Sequence, residues 1–304
     1  MHESNTTKNS SLPMIMAVTG AVMLGISPIF VRITDIGPNA TGFFRLLLAL
    51  PLVWAWMLVE NKLHPKTVHK PNGKEHWLMI LAGFFFSLDL AAWHLSIDMT
   101  TVINASLFNN FTPFFVPFFL WMIYKERPSW VYILCVVAAI TGAMIMSGGV
   151  VTVRPEQLVG DALALFSAMI FSGYILVIKS LRFKFNASTL MWWTTISNAV
   201  FMLIFCLYTG EDFWPDTTND WIGVLGLAAC IHIGGQGLLA YSMGKVSAGF
   251  IVVLLLLSPV VASVLGWMIF DESIQWIQVL GGAIILGSIV VARMDERKSD
   301  PSYD

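Results

Sequence analysis

The sequence predicts an all-α integral membrane protein of ten transmembrane helices, built as two inverted five-helix repeats. Three observations predict it. Hydrophobic residues fill 57% of the 304 positions and charged residues 12%, against roughly 45–50% and about 25% in a soluble domain. A water-soluble fold of this length still exposes about a quarter of its unfolded surface, too much for so apolar a chain. Disorder needs the opposite composition. The apolar residues also form continuous runs near the ~20 that a helix needs to cross a bilayer core, not the alternation of barrel strands. Finally, part of the first half recurs in the second at one fixed spacing.

Taken in order, the first run, Leu12–Ile33, is longer than a signal-peptide core, has no small-x-small site and is closed by Arg32, so it reads as a retained helix. The second, Ala40–Val59, holds Arg45, close enough to a boundary to snorkel, or else to act as an anion contact or gate. The third, Trp77–Ile97, carries Asp89 at mid-span. An ionised group there costs roughly 2.5–3.5 kcal/mol, so Asp89 is expected to couple protons, meet a cationic solute or bond a neighbouring helix. Trp93 shares its face. His94, about 140° round the helix, does not pair with Asp89 but is a second candidate for the same cavity. The fourth run, Val102–Tyr124, places Asn104, Asn109 and Asn110 before Pro113 and Pro117. Proline removes backbone hydrogen bonds and kinks a helix, so the prolines read as hinges and the amides as cavity lining.

The fifth run is Val131–Gly148. The sixth, Gly160–Lys179, opens on Asp161, whose charge suits a helix N-terminus, and contains Tyr174. The seventh is Thr189–Tyr208. In the eighth, Trp221–Met243, His232 and Gln236 stand at i,i+4 on one face, and Gly234, Gly235 and Gly237 let another backbone approach. Tyr241 follows; with Trp93 and Tyr174 it is a candidate for stacking on a solute. The ninth, Ala248–Phe270, carries Pro259 as a third hinge, and the tenth is Trp276–Ala292. Cys135, Cys206 and Cys230 fall inside apolar runs without framework spacing, against disulfides and zinc. His-x-x-x-Gln is a poor start for any metal site.

With the N-terminus in the cytoplasm, fourteen of the seventeen Lys and Arg fall inside, Arg32 and Arg154 outside, and Arg45 within a span. That asymmetry orients the chain with both termini cytoplasmic, in the cell (inner) membrane. Inside, the acceptor patterns at Asn5 and Asn9 are out of reach of glycosylation. The organisation is then a tail over 1–11, a first repeat over 12–150, a second over 155–292 and a tail over 293–304. The repeat is explicit at a spacing of 146: Pro113 recurs as Pro259, Trp121-Met122-Ile123 as Trp267-Met268-Ile269, Glu126 as Glu272 and Trp130 as Trp276. Five helices per repeat force the halves into opposite orientations. Inverted repeats are a recurrent construction of secondary transporters, with the site near midplane between the halves.

Three stretches carry a resemblance. Gly42-Phe43-Phe44-Arg45-Leu46-Leu47-Leu48-Ala49, then Ala105-Ser106-Leu107 with Pro113 and Glu126-Arg127, and Gly160-Asp161-Ala162-Leu163-Ala164-Leu165 with Tyr174 together resemble the EamA-type members of the drug/metabolite transporter superfamily. The likeness runs from about Leu12 to Ala292. It implies efflux or exchange of small metabolites or drugs. The Asp271-Glu272-Ser273 turn departs from it by lacking an arginine. Without any nucleotide-binding signature, the expected function is secondary transport, with a small-molecule solute, protons as a candidate coupling ion and the lipid bilayer as partners. No cofactor, metal or catalytic residue is expected, and a net charge of −2 offers nothing to nucleic acid. A membrane sensor or scaffold and an intramembrane enzyme are the competing readings, the latter without any hydrolase motif. Oligomeric state is left open. The cavity is expected among the third, fourth, eighth and ninth helices.

Overall fold

The computed structural model describes residues 11–63, 70–125, 127–148, 154–271 and 273–299. The readings made for Asn5, Lys8, Asn9, Lys66, Glu126 and Glu272, nearly all of the first tail and residues 300–304 of the second fall outside those residues. Within them the apolar runs are helices: α1 (Leu12–Arg32), α2 (Pro38–Leu63), α3 (Gly73–Met99), α4 (Ile103–Tyr124), α5 (Trp130–Met146), α6 (Pro155–Leu181), α7 (Ala187–Thr209), α8 (Thr218–Ser242), α9 (Ala248–Phe270) and α10 (Trp276–Lys298). Among the described residues, nine are long and apolar enough to cross a membrane. Helix α5 is the shorter one, at 17 residues, or about 26 Å at 1.5 Å per residue.

The ends are set locally. Asn72 and Glu75 form a reciprocal capping box at the start of α3, and Thr217 and Asp220 do the same before α8. Each satisfies two amide donors that the first turn would leave orphaned. The helix edges run a few residues beyond the apolar runs, because the polar flanks Gly73–His76 and Glu60–Leu63 continue the helix into the interface.

Packing follows a pseudo-twofold pattern. Helix α2 lies against α7 and α5 against α10, while α3 on α6 is matched by α8 on α1, and α4 on α6 by α9 on α1. Each half thus fills the other's interior. The crossing of α5 and α10 depends on two glycines. A Cβ on Gly281 would lie 2.6 Å from the Gly142 carbonyl oxygen, and one on Gly142 would lie 2.7 Å from that of Gly281.

The repeat is visible in backbone detail. Helix α4 is broken between Val102–Asn109 and Thr112–Tyr124, and α9 between Ala248–Leu255 and Ser258–Phe270, all four boundaries matching at 146. Thr101 and Ser247 cap the two first segments with their hydroxyls. Lys125 and Asp271 end the second segments at φ 62° and φ 53°, in the left-handed region that few non-glycine residues adopt. The Asp271 turn is therefore equivalent to the Lys125 turn despite its missing arginine. The breaks fall at Pro113 and Pro259, which open new segments. Pro117 lies inside Thr112–Tyr124, which continues through it. Its absent N–H frees the Pro113 carbonyl, and the Tyr132 hydroxyl lies 3.1 Å from that oxygen and 3.1 Å from the Gly249 carbonyl.

Candidate functional site

The centre of the bundle holds a layer of polar side chains in an apolar core. Asp89 on α3 is 6% exposed and accepts a hydrogen bond from the Ser167 hydroxyl of α6. The Ser167 hydroxyl oxygen in turn accepts from Asn109 Nδ2 of α4 at 2.7 Å. A chain of two hydrogen bonds thus links α4, α6 and α3 across the boundary between halves. Asn109 reaches it because the break in α4 follows immediately, loosening the turn that carries the amide.

Arg45 on α2 is within electrostatic range of Asp89, Tyr174, His94 and His232. It is 8% exposed, and its Nε is buried without a hydrogen-bond partner. The expectation that it snorkels to an interface is thus overturned: Arg45 begins the third turn of α2, and its face of the helix looks into the bundle. Its guanidinium carbon lies 5.7 Å from the Phe86 ring centre. Phe86, Tyr174 and Phe171 form a stack, with Phe86 to Tyr174 at 4.9 Å and Phe171 to Tyr174 at 5.6 Å.

On the other side of the layer, His232 Nε2 lies 2.8 Å from the Thr195 hydroxyl of α7, and its Nδ1 is buried without a partner. Asn198, one turn from Thr195, accepts from the Ser87 hydroxyl at 2.8 Å, and its Nδ2 is also buried without a partner. His232 and Gln236, both buried, sit in a π-helical stretch, Leu227–Gly237. The i,i+4 spacing was argued for an α-helix, whereas the backbone that carries both is π-helical. Glycines at 234, 235 and 237 admit the wider coil and the approach of Met23, Leu24 and Trp56.

Other predicted residues lie elsewhere. Asn104 is fully buried but donates to the Asp161 carboxylate, beside Thr100, at the end of the bundle opposite the termini. Tyr241 lies at the terminal side, with the Arg182 guanidinium 6.0 Å from its ring. Trp93, about one turn from Asp89, and His94, about one and a half, are half-buried. His94 Nδ1 lies 3.0 Å from Asn39 Oδ1. Asn110 serves the α4 break through its backbone. The layer draws on α2, α6 and α7 as well as α3, α4 and α8, while α9 contributes apolar core such as Ile251 and Val253. Sequence reasoning missed Ser167, Thr195 and Asn198. Asn198, a buried amide inside an apolar run, was the signal available; single hydroxyls in apolar helices are too common to single out.

Both ends of the α2–α7 pair are closed alike. Opposite the termini, Glu211 just beyond α7 accepts from Asn39 N at 2.8 Å and from the Asn39 side chain, capping α2. Phe44 packs there on Phe213, Trp214 and Trp221 at 5.2, 5.6 and 6.1 Å. At the terminal side, Glu60 near the end of α2 accepts from Ser188 N at 3.2 Å, capping α7. Each helix thus ends in the acid that caps the other, favourable at both amino termini.

The chain matches the model of the EamA-like transporter family twice, over residues 11–148 and 158–294. An uncharacterized transporter of Archaeoglobus fulgidus is 24% identical over 291 residues, covering 92% of this chain and 96% of that one. An uncharacterized transporter of Clostridium kluyveri is 24% identical over 268 residues, covering 84% and 86%. A solved crystal structure superposes with a TM-score of 0.81 at 15% identity over 93% of this chain and 98% of its own, a likeness of fold.

Proposed function

Because this chain belongs to the EamA-like transporter family, we propose that it is a secondary transporter moving a small metabolite or drug-like solute by alternating access of its two inverted halves, in efflux or exchange. One observation carries the reading. Arg45 Nε, Asn198 Nδ2 and His232 Nδ1 are buried, unpartnered and drawn from both halves. A buried polar group without a partner costs about 1–3 kcal/mol, and a solute entering the layer would offset that cost. The aromatic stack of Phe86, Phe171 and Tyr174 supplies an apolar wall beside it.

The cytoplasmic placement of both termini belongs to the same proposal and rests on the Lys/Arg asymmetry. So does proton coupling at Asp89, favoured by its place in the Asn109–Ser167–Asp89 chain, through which a proton shift at one group is felt on three helices. The test is counterflow in proteoliposomes loaded in turn with anionic, cationic and neutral metabolites. At least one class should exchange faster than in protein-free vesicles, and Arg45→Ala should abolish that exchange while the protein still elutes and melts as wild type. Exchange undiminished by Arg45→Ala would remove the layer as the solute site. No exchange of any class would favour a sensor or scaffold.

A further inference from the structure

We infer that the outward groove between α4 and α5 is a binding site for an anionic phospholipid, with an acyl chain in the groove and the phosphate at Arg127. The cavity has a volume of about 460 Å³. Pro113, Pro117 and Val136 form its floor. Phe114, Phe118, Trp121 and Val137 form its walls and are 54%, 42%, 45% and 58% exposed, so the groove opens away from the bundle, where hydrocarbon lies. Its shape has a local cause: two prolines one turn apart present short side chains, and Tyr132 fastens α5 to the carbonyl between them.

The chemistry changes sharply at one end. Arg127 and Trp130 line the mouth, in the turn that begins with Lys125. Trp130 is 81% exposed, as an indole seated at the headgroup level would be. A guanidinium at the same height matches a phosphate in charge and fork geometry. The second half supplies an internal comparison. At positions 146 further on, Phe114 and Phe118 become Val260 and Val264, Arg127 becomes Ser273, and the turn begins with Asp271. The backbone is repeated, and Trp121 and Trp130 recur as Trp267 and Trp276, but the two phenylalanine walls and the cation do not. Phe114, Phe118 and Arg127 are thus particular to the first half. The pairing of an apolar slot with a cation identifies an anionic lipid rather than the zwitterionic bulk. This inference does not depend on the transported solute.

The test is native mass spectrometry of the detergent-purified protein with equimolar phosphatidylglycerol and phosphatidylcholine. Wild type should retain phosphatidylglycerol preferentially. Arg127→Gln should lower that preference about fivefold, the scale of one cation at a charged membrane surface, with an unchanged melting profile. Val137→Trp, which fills the groove from an exposed position, should reduce adducts of both lipids. Equal retention by wild type, a preference surviving Arg127→Gln, or adducts unaffected by Val137→Trp would each overturn the assignment. So would a dimer, lost in Val137→Trp, in place of lipid adducts.

Discussion

Arg45 and Asp89 show how much one charged side chain determines and how little its position in a run reveals. Spacing placed Asp89 at mid-span, and the structure puts it in a buried hydrogen-bond chain. Arg45 was placed by the same spacing, yet its depth misled, because distance from a boundary does not say which face of the helix looks inward. The proton coupling proposed for Asp89 would have a distinct signature. Asp89→Asn keeps size and the Ser167 contact but cannot titrate, so the variant should exchange solute at equal pH and fail to concentrate it under a pH gradient. Loss of both with a normal melt would assign Asp89 to solute binding; accumulation at wild-type level would remove it from the mechanism. Tyr132 makes a structural prediction. Tyr132→Phe strips the donor from the Pro113 and Gly249 carbonyls and should cost about 0.6–1.7 kcal/mol, the range for hydrogen bonds between membrane helices, read as a lowered melting temperature in detergent.

At the scale of elements, the ten helices and their order were legible because lipid demands long continuous apolar runs. The matching breaks in α4 and α9 were legible through Pro113 and Pro259. The π-helical stretch of α8 was not. Three glycines around Gln236 read equally as a close-packing face, and only tertiary contact decides which register the backbone takes. Whether a proline breaks a helix depends on who satisfies the carbonyl it frees, and at Pro117 Tyr132 does so from another helix. The α5–α10 contact gives a sharp test, since neither glycine has room for a Cβ beside the opposing carbonyl. Gly142→Ala and Gly281→Ala should each destabilise by about 1–3 kcal/mol, the usual cost of overpacking. The double variant should cost less than the sum, because the first separation makes room for the second. Strict additivity in thermal melts would mean the two sites do not share one contact.

At the scale of the molecule, topology was readable and the functional layer was only half readable. Helix number, repeat and spacing come from residues that recur along the chain, whereas the layer is assembled from side chains up to about 190 positions apart, whose meeting no local pattern encodes. The orientation prediction belongs here. Single cysteines at Gly37, Asp98, Pro155 and Asp216 should react with an impermeant maleimide from outside cells, and one at Gly73 only after lysis; reversal at two of these sites would invert the topology. The reciprocal caps of α2 and α7 have a last consequence. Glu211 closes one end and Glu60 the other. If the proposed alternating-access cycle holds, opening one face would break the cap at that face and spare the other. The resting bias between faces is then a difference of two small numbers, and about 1.4 kcal/mol between them holds ten molecules facing one way for each facing the other. Altering one acid at either rim would then retune the direction in which the protein rests.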